Sequence, residues 1–172
     1  MNKRILMIVA PSDFRDEELL VPKRIFIENK DIVKIASEVK DRIRGMLGAK
    51  TDVDLLVKDA DVTEFDAVIF VGGIGVEKHK VYDNPDYINI AKASVFRGKV
   101  TAAICLGTKV LASAGILKGR RASCFESAID YLKDKGANYV GQKVVHDGKI
   151  ITAPNPDFAE EFARKILKLI QV

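Results

Sequence analysis

The stretch VTAAICLGTKVLASAG, residues 100–115, places a cysteine where an apolar run meets a glycine and helical spacing begins. Cys105 has Ala103 two residues before it and Gly107 two residues after it. A sharp strand-to-helix turn needs small residues at both places. Such a turn presents its central side chain at the carboxyl end of a strand, beside the free N–H groups of the following helix. Those amides and the helix dipole favour a thiolate, so the pattern suits nucleophilic addition to a carbonyl. The same residue would also serve as a small buried apolar filler, the common fate of a free cysteine. Upstream, AVIFVGG ends in Gly72 and Gly73. Without a Cβ there, backbone N–H groups can approach a substrate oxygen closely, although paired glycines also simply end strands. Asp16, Glu17 and Glu18 are consecutive acids in the first turn of a helical pattern, where the dipole favours any of the three.

The remaining reactive side chains are few. Cys124, in RRASCFES, is expected to be structural and to react well after Cys105. Neither cysteine has the spacing of a zinc site or a redox pair, so no metal and no cofactor is expected. The two histidines, His79 in the loop after the glycine pair and His146 in a hairpin, read as exposed polar residues. Leu106 directly follows the cysteine, and an aliphatic side chain cannot take its proton.

These residues need elements to position them. RILMIVAP (4–11) is a continuous apolar run without alternation, as a strand covered on both faces requires. DEELLVPKRIFIENK has helical spacing, with Pro22 expected to kink the helix or confine it to a first turn. DIVKIAS (31–37) is a second strand, and the two glycines of DRIRGMLGAKTDVDLLV predict a hairpin or irregular excursion. AVIFVGG and KVTAAI are further buried strands, separated by a helix with Asn84 as its cap and Pro85 at its first position. RRASC predicts a short strand, ESAIDYLKDKG a helix, and KVVHDGKIITA a hairpin turning at Asp147–Gly148. The last helix sets Phe158, Phe162, Ile166 and Ile170 on one face. Strands alternating with helices predict a three-layer α/β/α sandwich on a mainly parallel sheet, one domain over residues 1–172.

Composition fits an ordinary globular chain: 48% hydrophobic and 30% charged residues, without long like-charge blocks. The net charge of +4 arises from scattered basic residues rather than a stripe, which argues against nucleic acid as a partner. No apolar run has the length of a membrane span, and the N-terminus is not a secretory signal; a cytoplasmic protein is expected. Abundant Lys, Arg and Glu beside scarce Gln lean towards a heat-adapted source.

AAICLGTKVLASAGILKGRRAS, with FVGG upstream and DEELLVP after the first strand, resembles the DJ-1/PfpI superfamily and its AICxGxxxLxxAGxLxG cysteine elbow. The similarity runs through DGKIITAPNPDFAEEFA and so spans almost the whole chain. It implies a flavodoxin-like sandwich in which Cys105 is the reactive residue and Glu18 sits beside its sulfur. It further implies that Gly72, Gly73 and the Leu106 amide line an oxyanion pocket. Phe125 stands where relatives often carry a His or Tyr in the pocket wall, and the protease-like branch usually has His where this chain has Leu106. The activity implied is a cysteine-dependent glyoxalase or deglycase acting on small α-oxoaldehydes or their adducts. Glu18 would then be protonated while Cys105 is ionised. A thiol redox sensor or holding chaperone is the alternative, and a PfpI-type peptidase a further one that Leu106 disfavours. The resemblance also implies a homo-oligomer, with a dimer favoured.

Overall fold

The computed structural model describes residues 1–172. In chain order the elements begin β1 (Arg4–Ile8), α1 (Asp16–Glu28), β2 (Ile32–Ser37), β3 (Arg42–Arg44), β4 (Lys50–Asp52), β5 (Leu55–Leu56) and β6 (Ala67–Phe70). They continue α2 (Gly75–Lys78), α3 (Pro85–Phe96), β7 (Val100–Ile104), α4 (Thr108–Ser113), β8 (Arg121–Ala122), α5 (Ile129–Asp134) and β9 (Asn138–Tyr139). β10 (Val145–Asp147), β11 (Ile150–Ala153) and α6 (Ala159–Ile170) complete the chain.

Seven strands form the main sheet in the order β10-β11-β7-β6-β1-β2-β5, parallel throughout except for β10 against β11. The central strands β1, β6 and β7 are buried along nearly their whole length, which is why their sequences do not alternate. From this centre, β1–α1–β2 steps one way and β6–α3–β7 the other. Right-handed crossovers therefore put α1 and α3 on opposite faces. α6 packs on the α1 face and α4 beside α3, giving the three layers expected. Phe162, Ile166 and Ile170 of α6 are buried, each contributing roughly 1.5–3 kcal/mol of apolar transfer free energy. The sheet reverses its winding between β1 and β6, and ligand crevices in open α/β sheets form at the carboxyl ends of strands beside such a point.

Two local expectations need correcting. α1 runs on through Pro22, which lies inside the helix and does not confine it to a first turn. The proline leaves the Glu18 carbonyl without its usual helical N–H donor but, being buried against the core, is held in place by packing. The C-terminal hairpin turns one residue later than the Asp147–Gly148 pair implies: Asp147 pairs with Ile150, and the two-residue loop is Gly148–Lys149, with Gly148 at φ +61°. Asp147 stays in the strand because its carboxylate accepts the Arg121 N–H at 3.0 Å.

The excursion after β2 is a hairpin, β3–β4, outside the main sheet. Its tip folds onto the start of α1, where Asp16 accepts the N–H groups of Leu47 at 3.0 Å and Ala49 at 2.8 Å. That contact carries Met46 towards the carboxyl edge of the sheet.

Candidate active site

β7 ends at Ile104, still extended, and the next residue turns sharply: Cys105 has φ +60°. A non-glycine residue held there stores on the order of 1–3 kcal/mol of backbone strain. A single 3-10 turn over Cys105–Gly107 leads into α4, and Thr108 Oγ1 donates to the Cys105 carbonyl at 2.7 Å. Gly107 has no room for a side chain: a Cβ would lie 2.5 Å from the Phe70 carbonyl oxygen. The small-residue pattern around Cys105 therefore reflects a steric requirement of the elbow against the end of β6.

Beyond β6, Gly72 and Gly73 pass between the elbow and the entry to α1. A Cβ on Gly72 would stand 2.5 Å from Glu18 Oε1 and 2.7 Å from the Cys105 Cβ. Gly73, at φ +114°, lies against the backbone of Asp13, Phe14 and Arg15. The N–H groups of Gly73 and Leu106 both stabilise negative charge on the Cys105 sulfur. The Gly72 N–H is directed instead at Glu18, and its carbonyl accepts the Arg15 N–H at 2.9 Å. Of the expected oxyanion amides, those of Gly73 and Leu106 therefore face the sulfur, while Gly72 forms the close-packed floor between carboxyl and thiol.

The three consecutive acids separate cleanly. Asp16 holds the β3–β4 tip, and Glu17 forms a fork with Arg15, its Oε2 accepting from Nε at 2.6 Å. Glu18 is 0% exposed and lies beside Cys105. Neither of its oxygens has a hydrogen-bond partner of ordinary geometry. An ionised carboxylate so placed would lose its hydration without replacement. Burial accordingly raises the Glu18 pKa to about 8, against smaller opposing contributions from the Cys105 thiol, the Gly72 amide and Arg15. A neutral Glu18 at pH 7 agrees with the sequence expectation.

The resting thiol does not. Cys105 is 6% exposed, and its pKa is raised, first by burial and then by the Glu18 charge, which outweigh the Leu106 and Gly73 amides. The elbow amides reduce this penalty without reversing it. Protonation of Glu18 removes the second cause, so the two groups titrate as one unit.

Cys105 opens onto a cavity of about 230 Å³. Met46, Ile74, Leu106, Phe125 and Pro156 make its walls apolar, Gly73 contributes backbone, and Arg15 is its one charged residue. No histidine lines it: His79 is half-buried with Nε2 2.8 Å from Ser12 Oγ, and His146 is exposed on the β10 edge. Sequence reasoning missed Arg15, Met46, Ile74 and Pro156. Of these only Arg15, immediately before the acids, carried a readable signal. Also unforeseen is Lys109 on α4, whose Nζ meets Glu77 of α2 at 2.6 Å and lies 3.9 Å from the Tyr82 ring centroid. That partly buried pair ties the elbow helix to the segment following Gly73.

Cys124 is 0% exposed, and burial raises its thiol to about 12. With Cys105 opening onto the cavity and Cys124 sealed, iodoacetamide is expected to label Cys105 at least tenfold faster. Peptide mass spectrometry after partial alkylation checks this; equal labelling would remove the distinction.

A model of the DJ-1/PfpI family matches residues 3–169. The chain belongs to the DJ-1/PfpI family. This DJ-1/PfpI chain is 42% identical over 172 residues to an uncharacterized protein of Methanocaldococcus jannaschii, covering 99% of this chain and 83% of that one. It is 31% identical over 166 residues to Deglycase PfpI of Pyrococcus furiosus, covering 96% and 99% of the two chains. Among solved structures, a ThiJ/PfpI domain protein from Brachyspira murdochii superimposes with a TM-score of 0.95 at 31% identity, covering 99% of this chain and 97% of that one. Schizosaccharomyces pombe DJ-1 shares the fold, with a TM-score of 0.82 at 21% identity over 97% and 90% of the two chains. No helix of this DJ-1/PfpI protein is long and apolar enough to cross a membrane.

Proposed function

We propose that the chain is a cysteine-dependent glyoxalase or deglycase acting on small α-oxoaldehydes or their adducts. The observation that carries this reading is the fully buried, neutral Glu18 packed beside Cys105 on an elbow with convergent Gly73 and Leu106 amides. The similarity to proteins named deglycases in Pyrococcus furiosus and Thermococcus kodakarensis, at 31% and 32% identity, supports the same class.

Loss of one proton from the pair gives two tautomers, and the reactive one has the thiolate beside the neutral carboxyl. Sulfur adds to the aldehyde carbon, the C=O electron pair moves to oxygen, and the two amides stabilise the alkoxide while Glu18 supplies its proton. Glu18, now a carboxylate, removes the proton on C1, the electron pair forming a C1=C2 enediol as the C2 oxygen takes up the C1 hydroxyl proton, and then returns its proton to C2 as the C1 carbonyl forms. C1 is thereby oxidised to a thioester and the C2 ketone is reduced to an alcohol. Water cleaves the thioester, regenerating the thiol and releasing a 2-hydroxy acid. In the deglycase version, the sulfur bonds to C1 of the aminocarbinol as its C–N bond breaks, Glu18 gives its proton to the departing amine, and the resulting hemithioacetal follows the same course.

A peptidase reading lacks its base, since Leu106 occupies the place after the nucleophile and no histidine reaches the cavity. The test is incubation with methylglyoxal, following substrate loss and product identity, with Cys105→Ala as control. Lactate formed in proportion to methylglyoxal consumed, and absent with the variant, is the expected result. Equal disappearance in both proteins would assign the loss to scavenging by surface Lys and Arg and defeat the proposal.

A further inference from the structure

Arg15 gives the cavity a preference that its apolar walls do not. It is the one charged residue lining that space, and its position is fixed by backbone. The Arg15 N–H donates to the Gly72 carbonyl and its own carbonyl accepts the Glu18 N–H at 3.1 Å, with the Gly73 backbone packed alongside. The guanidinium is oriented by Glu17, which takes Nε at 2.6 Å and Nη2 at 3.3 Å. One edge of the fork is thus occupied, while Nη1 makes no hydrogen bond to the protein. Its charge is near enough to interact with both Glu18 and Cys105.

A planar guanidinium with a free edge matches a carboxylate, and the pairing is a charge-assisted one. Glu17 already balances part of the charge, so a monoanionic carboxylate suits the site better than a dianionic phosphate. The volume of about 230 Å³ has room for on the order of eight water-sized groups at ~30 Å³ each, enough for an acid of four or five carbons.

We propose that Arg15 is a specificity-determining residue that selects α-oxoaldehydes carrying a terminal carboxylate, binding that carboxylate while Cys105 meets the aldehyde. This rests on the glyoxalase reading above. For 4,5-dioxopentanoate the chemistry balances as before: with one water, the C5 aldehyde is oxidised to a carboxyl and the C4 ketone reduced to an alcohol, giving 2-hydroxyglutarate.

The experiment compares kcat/KM for 4,5-dioxopentanoate with that for methylglyoxal, taken as a ratio, in the unmodified protein, Arg15→Gln and Arg15→Lys. The ratio is expected to fall by about ten- to a hundredfold in Arg15→Gln, chiefly through KM, and to recover partly in Arg15→Lys. A ratio that is the same in all three proteins overturns the assignment. A second measurement needs no turnover: 4-oxopentanoate, which lacks the aldehyde, should slow iodoacetamide labelling of Cys105, whereas neutral pentan-2-one should do so far less. Protection lost in Arg15→Gln supports the carboxylate site even if no aldehyde is converted, in which case only the glyoxalase reading falls. Methylglyoxal turnover with equal protection in unmodified and Arg15→Gln proteins leaves that reading standing and removes Arg15 from specificity.

Discussion

Glu18→Gln is expected to lower methylglyoxal turnover by about 100-fold or more while leaving Cys105 open to iodoacetamide. The amide has the shape of the neutral carboxyl and can still donate a hydrogen bond to sulfur, but it has no proton to move between C1 and C2. Above about pH 8 the unmodified protein places a carboxylate against the forming thiolate, since Glu18 ionises near that value. Glutamine does not, so its alkylation curve should rise at lower pH than that of the unmodified protein. Glu18→Leu should lose turnover as well, and its alkylation should be slower than that of Glu18→Gln because an apolar side chain offers the sulfur anion no donor. Rate against pH for the three proteins separates these roles. Three coincident curves would mean that Glu18 does not tune Cys105, and the acid-base scheme would fail with it.

The same buried carboxyl makes folding stability depend on pH. Glu18 ordinarily ionises near 4.5 and in the folded protein near 8. Below pH 4.5 it is protonated in both states and imposes no electrostatic penalty. Between the two values the unfolded chain releases the proton while the folded one keeps it, so stability falls as pH rises. Above about 8 the penalty is complete, reaching several kcal/mol at about 1.4 kcal/mol for each tenfold change in ionisation constant. Glu18→Gln should therefore gain stability over the unmodified protein progressively from pH 4.5 to 8, with Tm the direct readout. Parallel Tm profiles for the two proteins would show that Glu18 is not held neutral by burial.

The pH penalty also accounts for what such a residue is doing in the core. A 0% exposed carboxyl without a hydrogen-bond partner of ordinary geometry is costly to stability, and cysteine at φ +60° adds strain at the neighbouring position. Both costs fall on the two side chains assigned to the chemistry. The rest of the fold shows the opposite tendency, with Asp16, Asp147 and Lys109 each satisfied by a specific partner. Strain and desolvation meeting on two buried, adjoining side chains are a common mark of a functional site.

The sequence alone determined the layer architecture, because strands buried on both faces cannot alternate and RILMIVAP, AVIF and KVTAAI do not. It also located the elbow, since a Cβ at position 107 would lie 2.5 Å from the Phe70 carbonyl oxygen and the turn tolerates nothing larger than glycine there. Which of Asp16, Glu17 and Glu18 meets the sulfur was not legible from residue types, because a first helical turn accepts an acid at any of the three places; the resemblance alone pointed to Glu18. Tertiary contacts made the difference, giving Asp16 to a distant hairpin, Glu17 to Arg15 and Glu18 to the interior. The thiol's ionisation likewise depended on burial, a property of the whole packed crevice that local spacing does not encode. Arg15 entered the cavity for the same reason: its neighbours there come from the β3–β4 tip, the segments after β6, β7 and β8, and the turn after β11. Only the assembled sheet brings those segments within reach of one another.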